Sequence, residues 1–365
     1  VSAAREETKE NARKVDTMRR IVLGALILAA LPATAGAVSE SVTPWLLFAM
    51  GARASGMGGA HVTEASGADG VYWNPANLGF YLDGKSITGM HFAPVPDLTD
   101  DVYFEYASYA EKVEGVGGLG ANVMFLTYGK SEATDVSGLR LREFTSWEMG
   151  IGAGYGTALN DHVSVGTGAK ILLSYLSPRI NDLEEGQGVT WAIDLGVHAR
   201  ELAPLHLRWG LGLLNMGPAL KFVDNGSPNP LPLNFRMGIG FDPFVNETHR
   251  ITVAMDMNKV LVRQRGGTGT EEFDVDPAYK ALFTAWGDES FSEELKDAIY
   301  NVGLEYGFSN FVFLRTGWVE DQTGDIEDYT YGVGVRYQKF RFDFAGYPQA
   351  SGLDFVKRFS LTYDF

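Results

Sequence analysis

From about residue 85 to the C-terminus, bulky apolar side chains alternate with small or charged ones at a period of two. In 163–175 one face reads Val163, Val165, Thr167, Ala169, Ile171, Leu173 and Tyr175. The other reads Ser164, Gly166, Gly168, Lys170, Leu172 and Ser174. The same division recurs in 189–200, where Val189, Trp191, Ile193, Leu195 and Val197 oppose Thr190, Asp194, Gly196, His198 and Arg200. Phe235, Met237, Ile239 and Phe241 repeat it against Asn234, Arg236, Gly238 and Gly240. Successive side chains of a strand point to opposite faces, so the period predicts strands rather than helices.

Fourteen strands are expected, near 85–93, 101–112, 117–129, 142–157, 161–175, 188–200, 205–216, 232–242, 249–262, 297–308, 311–319, 327–338, 340–347 and 355–365. Connections after the even strands are short, such as 113–116, 158–160 and Ser309-Asn310. Those after the odd strands are mostly long, such as 130–141, 176–187, 217–231 and above all 263–296. An even count with short turns at one end and long loops at the other is the pattern of an outer-membrane barrel, and it puts both termini in the periplasm. The fold class predicted is all-β, a transmembrane antiparallel β-barrel of about 14 strands.

A soluble sandwich also alternates. Three details favour the membrane. The apolar face is bulky while its opposite is glycine and charge, as when the outside meets lipid and the inside a polar lumen. Aromatic residues such as Tyr155, Tyr175, Tyr329 and Tyr337 gather towards strand ends. The chain finishes Phe359-Ser360-Leu361-Thr362-Tyr363-Asp364-Phe365, an alternating strand with a terminal Phe, similar to the assembly signal of outer-membrane barrels.

Composition agrees. The 365 residues include 44 Gly, 22 Phe and 16 Tyr, and no cysteine, which excludes disulfides and thiolate chemistry. The net charge of −16 sets nucleic-acid binding aside. Residues 1–37 have their own organisation: Met18-Arg19-Arg20, an apolar run from Ile21 to Leu31, Pro32, then Ala35-Gly36-Ala37. These are the three parts of a secretory signal, with cleavage expected after Ala37; the charged stretch before Met18 reads as an upstream extension. Without residues 1–37 the balance is 24 basic against 42 acidic residues, a net of −18.

Residues 38–84 do not read as wall strands. They hold Gly51-Ala52-Arg53-Ala54-Ser55-Gly56-Met57-Gly58-Gly59-Ala60 and Tyr72-Trp73-Asn74-Pro75-Ala76-Asn77-Leu78-Gly79. With Asp194-Leu195-Gly196-Val197, Gly212-Leu213-Leu214-Asn215-Met216-Gly217 and Leu231-Pro232-Leu233-Asn234-Phe235-Arg236-Met237-Gly238, they resemble the PorV/PorQ family, part of the FadL-like barrel class. The resemblance covers most of the chain after residue 37. It implies a fourteen-stranded barrel with residues 38–84 folded into the lumen as a hatch ahead of the barrel, 85–365. The hatch motif is Gly51, Arg53, Gly56, Met57, Gly58, Gly59, Asn74, Pro75 and Ala76, read as structural rather than ligand-binding. Its glycines allow tight turns against the wall, and Asn74-Pro75 favours a fixed turn. Arg53 is expected to pair with a lumen acid such as Glu148, Asp194 or Asp256. A phosphate-binding loop is disfavoured, because no Gly-Lys-Ser/Thr ends the stretch that begins at Gly51 and no buried strand precedes it.

No catalytic centre or cofactor motif is evident. His61, His91, His162, His198, His206 and His249 are scattered, and Gly-x-Ser-x-Gly and His-Glu-x-x-His are absent. His198 is expected in a lumen hydrogen-bond network near Asp194 and Arg200. In the connection 263–296, the stretch 277–286 predicts a short amphipathic helix with Tyr279, Phe283 and Trp286 on one face, docking a partner or covering the barrel mouth. The acidic loops lack calcium-ligand spacing.

Two functions follow. The resemblance implies an outer-membrane component of type IX secretion, whose partners are membrane lipid, the translocon, the attachment machinery and secreted cargo. The alternative is a FadL-like transporter of hydrophobic small molecules, with a continuous apolar pocket lined by Trp45, Leu46, Leu47 and Phe48. Those four equally suit the hatch core.

Overall fold

A computed structural model of the chain describes residues 41–81, 84–134, 140–179, 185–202, 205–222, 228–265, 274–286, 294–348 and 354–365. The proposed secretory signal, 1–37, and Gly266-Gly267-Thr268-Gly269 lie outside the described residues.

Fourteen antiparallel strands close into a barrel. The first half comprises β1 (Lys85–Phe92), β2 (Val102–Val113), β3 (Gly117–Thr134), β4 (Arg140–Ala158), β5 (Val163–Ser177), β6 (Gly186–Leu202) and β7 (Leu207–Met216). It continues with β8 (Asn234–Val245) and β9 (His249–Val260). A separate two-stranded ribbon, β10 (Gln264–Arg265) and β11 (Asp274–Val275), interrupts the wall sequence. The wall resumes with β12 (Ile299–Phe308), β13 (Val312–Asp321), β14 (Ile326–Tyr337), β15 (Phe340–Tyr347) and β16 (Val356–Asp364). Neighbours in sequence pair throughout, β9 pairs with β12, and β1 pairs with β16 from Ser86↔Asp364 to His91↔Phe359. Closure removes both free edges, the condition for a sheet to sit in lipid.

The two faces separate as the alternation demands. Ile151, Ile171 and Trp191 are cross-strand partners on β4, β5 and β6, and all three point outward and are exposed. Glu148, Lys170, Asp194, Arg236, Asp256, Glu305, Arg315, Asp343 and Arg358 all point inward and are buried. Placing charge outside and these apolar rows inside would expose ionised groups to hydrocarbon, so a one-residue register slip is strongly disfavoured. Around the long-loop end, Tyr103, Phe125, Trp147 and Tyr175 form a row of rings spaced 6.5, 6.2 and 6.1 Å apart. At the other end, the Tyr363 ring lies 4.6 Å from that of Phe340 and 5.2 Å from that of Phe365. These are the aromatic girdles of a membrane barrel.

The helix in the long connection spans Ala278–Thr284. Its packing corrects the expected face. Ala281, Ala285 and Trp286 sit over Leu233 and Leu261, with the Trp286 ring edge-on to Phe235 at 5.7 Å. Tyr279 and Phe283 point away from that contact, 71% and 81% exposed. Small alanines let the helix approach the barrel rim closely, which turns the larger rings outward. The buried Lys259–Glu294 ion pair (2.7 Å) pins the connection to β9, and within the connection Arg263 Nη1 donates to Thr284 O (2.9 Å).

Candidate functional site

Residues 41–81 run through short helical turns and pack against the inward faces of strands all around the barrel. Two parts of this inner segment meet opposite walls.

Residues 51–59 lie against β12 to β16. Gly51, Gly58 and Gly59 have φ of 91°, 68° and 83°, which other residues reach only with strain. Gly58 is restricted twice, because an added Cβ would stand 2.7 Å from Trp318 O and 2.8 Å from Val302 O. Its N–H donates to Thr330 Oγ1 (2.9 Å), whose hydroxyl lies 3.1 Å from Gly56 O. Met57 is fully buried with Ala60 and Ala254.

Asn74, Pro75 and Ala76 lie against β4 to β6. Asn74 Oδ1 accepts from Ala76 N (3.0 Å) and caps the 3-10 turn Pro75–Phe80, while Nδ2 donates to Val197 O on β6 (3.0 Å). The amide is used as both acceptor and donor, which an aspartate would not provide. Pro75 opens the turn, where its missing N–H costs nothing. Ser164 Oγ donates to Ala76 O (2.8 Å). The wall here carries glycines, among them Gly118, Gly156, Gly166 and Gly196, whose missing side chains admit the backbone of residues 74–79.

Arg53 corrects an expectation: it pairs with Glu305, at 2.9 Å from Nε and 2.8 Å from Nη2, and not with Glu148, Asp194 or Asp256. Those three acids serve other groups. Glu148 accepts from Trp45 Nε1 (3.0 Å), and Asp194 pairs with Lys170 (2.9 Å). Asp256 Oδ2 accepts the backbone N–H groups of His61 (2.6 Å) and Val62 (2.8 Å). Glu305 joins Arg53 to a larger network: Arg315 bonds Glu305 (2.6 Å) and Asp343 (2.8 Å), and Arg341 bonds Asp343 (2.9 Å) and lies 3.8 Å from Asp69. Burial pushes the Asp69 carboxyl up to about 6, opposed by Arg341. Burial and the Arg53 charge hold His61 well below the ordinary histidine range.

Two arginines grip the inner segment by its rings and carbonyls. Arg236 lies 4.9 Å over Trp73 and 5.2 Å over Tyr72. Arg358 donates to Ala49 O (2.7 Å) between the rings of Phe92 and Tyr347. Cation–π attraction strengthens when the cation is desolvated. Sequence reading missed these roles, although an arginine at an inward wall position was itself a usable signal. His198 is a further correction: among the described residues its ring nitrogens have no hydrogen-bond partner, and the ring packs edge-on to Phe80 at 5.5 Å.

Trp45 and Leu46 are fully buried with Phe104, Met124 and Leu172, so they form core rather than the lining of an apolar pocket. The large cavity, about 630 Å³, opens at the short-turn end and is lined by arginines and acids. Among the described residues no group of three or more His, Asp or Glu side chains is arranged to hold a metal ion.

An Asp256→Ala substitution is expected to leave the His61 and Val62 N–H groups unsatisfied at about 1–3 kcal/mol. Hydrogen exchange of residues 60–65 should speed up, while that of the Asn74–Phe80 turn stays as in the parent. Unchanged protection at 60–65 would refute the anchoring role.

A closed, apolar-coated, charge-filled fourteen-stranded barrel defines an outer-membrane protein. The family model of the type IX secretion system protein PorV matches residues 33–265, and the chain belongs to that family. It is thus an outer-membrane barrel of type IX secretion, in a family of secretion barrels rather than of enzymes. The fold is also that of the toluene transporter TodX of Pseudomonas putida, at 13% identity over 91% of this chain and 100% of that one, with a TM-score of 0.51. The CymD monoaromatic hydrocarbon channel aligns at 13% identity over 86% and 96%, with a TM-score of 0.50. At these identities the likeness concerns the fold alone. No curated protein matches the chain.

Proposed function

We propose that this protein is a plugged platform of type IX secretion, which takes secreted cargo from the translocon at the cell-surface side and passes it to the attachment machinery. The family match carries this reading. In it, residues 1–37 are the secretory signal, cleaved after Ala37, and 38–84 are the hatch. Gly51, Arg53, Gly56, Met57, Gly58, Gly59, Asn74, Pro75 and Ala76 anchor that hatch and take no ligand. The dense bonding of 41–81 to the wall supports a fixed hatch, and the solid packing of Trp45 and Leu46 speaks against a mobile one with an apolar ligand behind it.

Mass spectrometry of the protein purified in mild detergent from its own outer membrane tests this reading. Secreted cargo or attachment enzymes are expected at near-stoichiometric levels. A stoichiometric apolar ligand without any protein partner would overturn it in favour of transport.

The outward rings Tyr279 and Phe283, held on an anchored helix at the long-loop end, are the proposed contact for cargo. A Tyr279→Ser, Phe283→Ser double variant is expected to keep barrel stability within about 0.5 kcal/mol, as exposed side chains remote from the core do. Cargo recovery should fall several-fold. Undiminished recovery would remove this helix from the interface.

A further inference from the structure

The cavity at the short-turn end has more guanidinium groups than its carboxylates occupy. Arg336 of β14 and Arg341 of β15 are directly opposed across the strands and share the lumen face. Like charges in that position repel, so the pair costs stability unless something else meets it. Arg341 is bonded to Asp343, and Asp343 gives its other oxygen to Arg315. Arg336 makes no ion pair with Asp343 or with any other acid among the described residues, and among them its Nε is enclosed without a hydrogen-bond partner. Arg315, with a fully buried side chain, also holds an unpartnered Nη2 and lines the same cavity. On the facing wall Arg200 lies 3.9 Å over the Phe80 ring, its Nε likewise unpartnered. Enclosed donors without acceptors are costly in a folded protein, and guanidinium groups that carry them around one cavity favour binding of an acceptor there.

We propose that this cavity is a binding site for a multivalent phosphate-type anion, gripped by Arg336 and Arg341 with Arg315 behind them. The planar guanidinium presents paired donors that match two oxygens of a phosphate, and two adjacent forks suit a doubly charged group. A chain with a net charge of −16 repels anions elsewhere, so a local cationic mouth concentrates them at this one place. The cavity opens towards the periplasm, where the phosphate is either a free anion or the headgroup of a lipid in the inner leaflet. The inference stands apart from the secretion reading, because it concerns binding by the isolated barrel.

Calorimetric titration of the full protein in non-ionic detergent at pH 8 tests it, with two probes: inorganic pyrophosphate and dihexanoyl phosphatidic acid, a lipid whose phosphomonoester ionises twice. Saturable binding is expected, weakened about tenfold or more in R336Q, with R336K intermediate because it keeps charge but loses the fork. Lys130→Gln, at the opposite end of the barrel, should bind as the parent does. Heat-dependent gel mobility verifies that each variant is a folded barrel. Binding of pyrophosphate alone assigns a free anion, and tighter, competing binding of the lipid assigns a headgroup. No saturable binding of either probe, or parent-like binding by folded R336Q, overturns the site.

Discussion

Glu305→Gln is expected to destabilise the barrel by about 3–5 kcal/mol, the usual loss when one partner of a buried ionic group is removed. Glu305 accepts from both Arg53 and Arg315, so neutralising it strips two guanidinium groups at once. The Arg315 side chain has no solvent access, and that of Arg53 is 14% exposed, so water offers little compensation. Arg315 retains Asp343, whereas among the described residues Arg53 keeps its bond to the Glu64 carbonyl at 3.0 Å. The double change Arg53→Met, Glu305→Met removes the stranded cation together with its acid and should recover at least half of the loss. Guanidinium unfolding of the purified protein, followed by tryptophan fluorescence, measures all three. A Glu305→Gln loss under about 1 kcal/mol would mean that the network is solvated like a surface pair.

Gly166→Val should have the second large effect, directed at the inner segment rather than the wall. A Cβ at Gly166 would overlap the backbone of Pro75 and Ala76. Gly166 is paired on both sides, with Gly156 on β4 and Gly196 on β6, so the wall has little freedom to yield. The segment must move instead, at the expense of the bonds from Asn74 to Val197 and from Ser164 to Ala76. Overpacking of this kind costs about 1–3 kcal/mol, which corresponds to roughly 5- to 150-fold more frequent local opening. Because the natural chain has no cysteine, a single Leu78→Cys change reports that opening through its rate of maleimide labelling. Gly89→Val is the control, since an added Cβ there meets nothing within 4 Å on the outer face. Equal labelling in the Gly166 and Gly89 variants would show that residues 74–79 do not rest on the wall.

Both experiments concern contacts that the chain's linear pattern hides. Arg53 illustrates why. Its charge and the acids of the lumen face were legible, but the choice among them was not, because Glu305 is 252 positions away and competes with several inward carboxylates. Asp256 was legible as an inward acid, yet it serves two backbone N–H groups that leave no trace in side-chain pattern. The helix at 278–284 was readable as a helix, but its buried face depended on how closely alanines approach Leu233 and Leu261.

What the sequence determined by itself was the wall: strand number, which residues face lipid, which face the lumen, and which end carries the long loops. These follow from side-chain alternation and turn length, both local properties, and from pairing between strands adjacent in the chain. Only the tertiary structure decided how residues 41–81 are held. Closure brings β16 beside β1 and sets β12 to β16 across the lumen from β4 to β6, so partners hundreds of residues apart meet the same short segment. Selecting among several chemically equivalent charges then depends on distance and burial, which no local pattern encodes.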